Sequence, residues 1–304
     1  MIFLPSQRRP FIIAALFAML IVGPTPLSAA VSVLDDEGTL VELPKVAMRV
    51  ISLAPSLTEL LFAAGAGSNI VGVVEYSDFP EAARAIPVVG RHDLLDMERI
   101  LQLNPDLIVA WQSGNPRASV ARLRELGFAV YIAEPKRLDS IPSHLERLAT
   151  LTGTETVGDL AAREFRDHLT LLADTYKNKS PVSVFYQVWD LPLISAGGNE
   201  LINDIIELCG GRNIFADITL VAPKVSIEAV LARNPEAIIA SGMDIERPEW
   251  LDDWKNWPTV TAVHNDNLFF VPPELLQRHT PRALLGASMM CNQIAQAREV
   301  TSQN

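Results

Sequence analysis

The sequence predicts an α/β protein built as two similar α/β lobes joined by one long α-helix, and three observations predict it. Apolar strand-like runs alternate with helical periods from residue 48 to 151, and the alternation restarts at 182. Between the two blocks lies 154–179, where Val157, Ala161, Phe165, Leu169, Leu172 and Tyr176 recur every three or four positions. Residues 98–110 align without gaps on 228–240, sharing Glu, Leu, Asn-Pro, Ile and Ala, and 67–70 match 211–214. The expected segments are a leader at 1–30, an N-terminal lobe at 31–153, the connecting helix at 154–179 and a C-terminal lobe at 180–304.

Taken in order, residues 1–30 carry Arg8 and Arg9, an apolar run at 11–22, then Pro24, Pro26 and the small residues Ser28, Ala29 and Ala30. That is the layout of a secretory signal peptide, cleaved after Ala29 or Ala30, with an apolar core too short for a comfortable membrane span. No cysteine lies near the cleavage site, so lipid attachment is not expected there and the mature chain should be soluble. The net charge of −11 deepens by two units when Arg8 and Arg9 leave. An acidic surface argues against nucleic acid or an anionic membrane as partner and suits a basic docking surface. Cys209 and Cys291 are the only cysteines. In an exported chain the pair reads as a disulfide that closes a loop of about 80 residues and stabilises by up to about 4.5 kcal/mol, with two buried free thiols as the alternative.

Strands are expected at 48–53, 70–74, 107–111 and 129–133 in the first lobe, and at 182–188, 237–240 and 268–271 in the second. Helices are expected at 58–65, with Ser56 as its cap, and at 97–103, 116–126, 140–151, 201–208, 227–233 and 283–296. For the connecting helix, Thr154 supplies the cap, Glu155 and Asp159 suit its positive end, and Lys177 and Lys179 its negative end. About 24 residues give a rod of roughly 36 Å, longer than a crossover between neighbouring strands needs. The tryptophans at 250, 254 and 257 lie in a stretch without clear period, read as packed surface.

In the repeat, each unit is a helix stopped by Asn-Pro and followed by a buried strand, because the residue before proline avoids the helical region. Glu98 and Glu228 then occupy equivalent places near the start of the repeated helix, on the two lobes. No nucleophile elbow, zinc-protease motif, P-loop or complete dinucleotide fingerprint is present, and the five histidines are scattered. His144 and His168 read as solvated helix positions, while His92 and His279 fall in loops beside the expected cleft. A two-lobed exported protein of this kind is most simply a binding protein.

The runs RVISLAPSLTELLFAAG at 49–65, VGVVEYSDFP at 71–80, MERI at 97–100, NPDLIVAW at 104–111 and GGRNIF at 210–215 resemble the helical-backbone periplasmic binding proteins, in particular their cobalamin-importing branch. The resemblance covers about 49–297 and implies a corrinoid, cobalamin, as transported ligand, with no resident cofactor. It implies a disulfide between Cys209 and Cys291, and contacts from Glu98 and Glu228 to arginines of an ABC permease dimer. Carried over by position, Pro55, Ser56, Tyr76, Trp111 and the segment Glu274, Leu275, Leu276, Gln277 and Arg278 line the ligand site, with Trp189 and His92 beside it. His92 or His279 is the candidate for approaching the ligand's metal. Where the branch carries tryptophans this chain has His92, Ala222 and Leu275, which removes stacking surface. Haem or a ferric siderophore is the alternative cargo on this scaffold, and an exported α/β enzyme the distant alternative.

Overall fold

The structure, a computed structural model, describes residues 1–2, 30–242 and 245–303, with side chains through residue 300. The leader expected at 1–30 thus lies almost wholly outside the described residues. The chain begins with an antiparallel hairpin, β1 (Val31–Leu34) and β2 (Leu40–Leu43). It continues through β3 (Val50–Ser52), α1 (Pro55–Ala63), β4 (Ile70–Val73), the small ribbon of β5 (Gly90–Arg91) and β6 (Leu94–Leu95), and α2 (Met97–Leu103). β7 (Leu107–Trp111), α3 (Arg117–Glu125), β8 (Val130–Ala133) and α4 (Ile141–Thr152) complete the first lobe. After α5 (Glu155–Tyr176) come β9 (Val182–Trp189), β10 (Ile194–Ser195), α6 (Leu201–Leu208), β11 (Gly211–Asn213), α7 (Ile227–Arg233) and β12 (Ala237–Ala240). The chain closes with α8 (Thr261–His264), β13 (Leu268–Phe270), α9 (Pro273–Leu276) and α10 (Ala283–Gln303).

The first sheet is parallel in the order β4-β3-β7-β8. In the second, β11-β9-β12-β13 repeats that parallel order, and β10 adds an antiparallel edge to the far end of β9. The sequence repeat is therefore a structural one. Asn104 ends α2 at φ 42°, ψ 66°, and Asn234 ends α7 at φ 42°, ψ 69°, a left-handed conformation that asparagine tolerates better than most residues. Two residues on, Asp106 accepts from the backbone N–H of Met48 and Arg49, and Glu236 from that of Ser183, so each acid anchors the start of its lobe's first sheet strand. Asn69 and Asn213, matched in the shorter repeat, are both buried and each donates to a backbone carbonyl, of Ala47 and Ala196 respectively.

The connecting helix forms where its period predicts, over 22 residues. Its buried face differs in detail. Gly158, Ala162, Phe165 and Tyr176 are buried, whereas Val157 is half exposed. Gly158 explains the rotation: a Cβ there would lie 2.3 Å from Ala149 Cβ, so α5 crosses α4 too closely for any side chain. Thr154 does not cap the helix through its side chain; its hydroxyl donates to Ala64 O at 2.6 Å and ties the start of α5 to the end of α1. Ser56 is likewise no cap, because α1 starts one residue earlier with Pro55 in its first turn, where a missing N–H costs nothing.

Among the described residues, three buried clusters fill the fold. One joins both lobes, running through α1, α4, α5, α6 and α10 between the inner faces of the sheets; the other two back the outer face of each sheet. Trp254, within a 3-10 helix over Glu249–Asn256, plugs the outer core of the second lobe against Phe185 and donates to Gln187 Oε1 at 2.6 Å. Cys209 and Cys291 are bonded, joining α6 to α10 across 82 residues of chain.

His144, expected to be solvated, is only 1% exposed. Helical periodicity turns it inward, where its ring contacts Tyr131 OH, Arg147 and, at 3.1 Å, Asp36 Oδ2 from the tip of the hairpin. Asp36 also accepts from Glu134 N–H at 2.5 Å and pairs with Arg147 at 2.8 Å. Burial raises the Asp36 pKa, but His144, the Glu134 N–H and Arg147 outweigh it and hold the carboxyl well below the usual carboxylate range. A depressed folded-state pKa stabilises the fold above the ordinary carboxylate pKa of about 4, and that contribution fades as pH falls through and below it. Asp36→Asn should therefore lower stability at pH 7 by about 2 kcal/mol, with the gap to the parent narrowing in acid; urea denaturation at pH 7 and pH 3 measures both.

Candidate functional site

Parallel strands end together, so the loops after β3, β4 and β7 gather at one edge of the first sheet and face the corresponding edge of the second. Between them is a cleft of about 660 Å³, lined on one side by Tyr76, Asp78, Phe79 and Arg84 and on the other by Ile245, Pro273, Glu274, Gln277, Arg278 and Arg282. Ile245 also borders a second hollow of about 370 Å³ that holds Trp189 and Trp250.

On the first lobe, Pro55 and Ser56 are half-buried in the opening turn of α1. Beneath them Thr58 donates within a buried hydroxyl cluster with Ser52 and Ser77. Tyr76 is 75% exposed and sits at φ 64°, an uncommon conformation for a bulky residue. Its carbonyl is held from two directions, by Asp78 N–H at 3.0 Å and Arg278 Nη2 at 3.3 Å. Such a backbone persists only where its surroundings over-determine it. The His92 ring lies 6.1 Å from that of Trp111, and Trp111 lines a separate hollow of about 200 Å³ with Arg117 and Arg124, not the main cleft. Asn115, buried, joins three of these segments: it donates to Leu53 O and His92 O and accepts from Trp111 N–H.

On the second lobe, Glu274, Gln277 and Arg278 reach the cleft. Leu276 does not. It is 1% exposed and belongs to the shared core, because the single turn of α9 must bury one face. Leu275 is half-buried with its carbonyl facing Gly286. Glu274 Oε2 is buried without a hydrogen-bond partner among the described residues. Gln277 donates weakly to Ser241 and Gly242 O. Arg278, expected to contact the ligand, also pairs with Glu59 at 2.9 Å and Asp78 at 2.7 Å. Burial lowers the Arg278 pKa, but its bonds to Asp78 and Glu59 outweigh this and raise it; Asp78 is correspondingly lowered. Burial, with a small push from His144, brings His279 down to about 4, so its imidazole is neutral at working pH. Neither His92 nor His279 is among the cleft's lining residues, and no group of three or more His, Cys, Asp or Glu among the described residues could hold a metal ion.

Sequence reasoning missed Glu59, Arg282, Asn115 and Phe79. A signal existed for Glu59, a lone charge amid Leu57, Leu60 and Leu61 on a helix with nowhere polar to face. Glu98 and Glu228 are both exposed in the first turns of α2 and α7, whose caps, Asp96 and Ser226, accept from Arg99 and Ala229 N–H.

Two α/β lobes on a helical backbone, with an amphipathic cleft between their strand ends, are the architecture of a solute-binding protein. Residues 50–275 match the model of the periplasmic binding protein family, and the chain belongs to that family. It is 39% identical to a vitamin B12-binding protein of Vibrio cholerae over 254 residues, 83% of this chain and 91% of that one. It is 37% identical to a vitamin B12-binding protein of Yersinia pestis over 273 residues, 90% and 94% of the two chains. The crystal structure of the periplasmic vitamin B12 binding protein BtuF of Vibrio cholerae is similar at a TM-score of 0.76 and 38% identity, covering 83% of this chain and 98% of that one. The periplasmic heme-binding protein RhuT from Roseiflexus, at 0.72 and 23% identity over 83% and 99%, shares the fold. No helix among the described residues is long and apolar enough to cross a membrane.

One packing constraint is directly testable. A Cβ on Gly114 would fall 1.7 Å from the Trp111 ring, so Gly114→Ala must displace the indole. The expected result is a shifted tryptophan emission and a loss of about 1–3 kcal/mol in urea denaturation, with helix content by circular dichroism retained.

Proposed function

We propose that the chain is a periplasmic solute-binding protein that holds a corrinoid, cobalamin, between a lobe of residues 31–153 and a lobe of residues 180–304, and delivers it to an ABC importer permease. The observation that carries this reading is that relatives named for vitamin B12 binding are 37–39% identical across 83–90% of the chain. The cleft's chemistry supports it. Tyr76, Phe79 and Ile245 offer apolar surface to a flat macrocycle. On this reading the Glu274 carboxylate accepts from a carboxamide of the ligand, and Gln277, Arg84 and Arg282 donate to one; all four line the cleft. The loss of tryptophans at His92, Ala222 and Leu275 is partly offset by Trp189 and Trp250 in the adjoining hollow. Export uses the leader at 1–30, without lipidation, and the mature monomer catalyses no reaction on its cargo.

Purified residues 31–304 titrated with cobalamin, cobinamide, haem and a ferric siderophore test this. The expected result is saturable binding of cobalamin, seen in its visible spectrum and in heat, with haem and siderophore much weaker. Equal or tighter binding of haem would replace the corrinoid reading, and turnover of any of them would replace the carrier reading.

Glu98 and Glu228 are the docking pair on this reading: exposed, in equivalent first turns, and suited to charge-assisted bonds with permease arginines. Glu98→Lys or Glu228→Lys should weaken association with the cognate permease roughly tenfold or more, since a hydrogen bond to a charged group contributes about 1.5–3 kcal/mol. Affinity for cobalamin should not change; both are read by binding to the transporter in detergent and by calorimetry.

A further inference from the structure

Glu59 lies in α1 between side chains of the shared core, is 3% exposed, and meets two arginines from the opposite lobe. Arg282 binds it with two bonds, Nε to Oε2 at 2.9 Å and Nη2 to Oε1 at 2.7 Å. Arg278 Nη1 binds Oε1 at 2.9 Å and shares the same nitrogen with Asp78 at 2.7 Å. Arg278 Nη2 reaches Tyr76 O, and the Arg282 guanidinium lies 3.9 Å from the centre of the Phe79 ring. A carboxylate taken this far out of water persists only because it is paired on both oxygens. Both arginines line the cleft, and Arg278 Nε and Arg282 Nη1 have no hydrogen-bond partner among the described residues.

We propose that Glu59 is the positioning residue of the ligand cleft: by gripping Arg278 and Arg282 across the lobe boundary it fixes the spacing of the two walls and aims their remaining N–H groups at acceptor oxygens of the ligand. The acceptor is a carboxamide carbonyl or a phosphate oxygen, and its identity as part of a corrinoid rests on the function proposed above. Glu59 does not itself line the cleft, so it acts through the arginines. With α5 packed on α4, α6 and α10, and this cluster beside the cleft, the lobes are held at two separate places. A walled site of that kind loses little entropy on binding.

The test uses mature protein carrying spin labels at Glu125→Cys and Lys255→Cys, exposed positions on the two lobes. In a Glu59→Gln background, pulsed electron resonance should give a broader inter-lobe distance distribution than in the parent. Calorimetry should give a dissociation constant raised roughly tenfold or more, as expected when preorganisation is lost. A larger loss for cobalamin than for cobinamide, which lacks the nucleotide phosphate, assigns the acceptor to phosphate; equal losses assign it to carboxamides. A variant with a lowered melting temperature but the parent's distance distribution and affinity overturns the proposal, since Glu59 is then only structural. Should Glu59→Gln fail to fold, Arg282→Lys, which keeps the charge but loses the paired bonds, is read by the same two criteria. If the parent binds neither corrinoid, the proposed function falls, while the distance distributions still decide whether Glu59 sets the lobe spacing.

Discussion

The inner faces of both sheets pack on the same helices, α1, α4, α5, α6 and α10, through one set of buried side chains. That shared core is the constraint on which the cleft depends. Because the strands of each sheet are parallel, their carboxyl ends fall at one edge, and the common backing helices turn those two edges toward each other. Moving the lobes apart would expose side chains such as Leu138, Leu201 and Ile205, each of which contributes about 1.5–3 kcal/mol by being buried. Only adjustments that leave this interface intact are inexpensive, so the cleft is a property of the resting fold. Arg137 with Asp204, and the Leu138 N–H bonded to the same carboxylate, add a further polar link between the lobes at the rim of the core.

The duplication extends from topology down to single hydrogen bonds. Asn104 and Asn234 turn the chain in the same way, Asp106 and Glu236 anchor strand starts, and Asn69 and Asn213 satisfy buried carbonyls. The lobes diverge where the cleft is. The first supplies a tyrosine in a left-handed backbone and a buried carboxylate, and the second supplies the two arginines that meet it. Copies of one scaffold have thus been given complementary charge at their facing edges, which keeps the seam neutral although the chain as a whole is acidic.

What was legible in the sequence was what local rules decide. The bounds of α2, β7, α6, α7 and β12 could be read to the residue because each is delimited by a cap, an Asn-Pro stop or an abrupt change of polarity. The long helix was visible from its period, and the paired cysteines from being the only two in a chain read as exported. Legibility failed where the deciding partner is distant in the chain. Glu59 and Arg282 lie 223 positions apart, and nothing local to either announces the other. His144 lies on the inward stripe of α4, but the partner that satisfies its ring, Asp36, comes from a hairpin that packs on α4 only in the folded state. Leu276 was carried into the cleft with its neighbours, although a single helical turn cannot present every residue to one side.

The disulfide has a bearing on which parts of the molecule can loosen independently. Its closed loop, from Cys209 to Cys291, contains β11, α7, β12, α8, β13 and α9, and with them Glu274, Gln277, Arg278 and Arg282. Fraying of α10 from its carboxyl terminus therefore leaves Cys291 bonded to Cys209, so the second wall of the cleft stays tethered to the end of α6 when that terminal helix has partly melted. A covalent link of the kind that persists in oxidising compartments thus limits how far thermal fluctuations can reach into the ligand-facing surface.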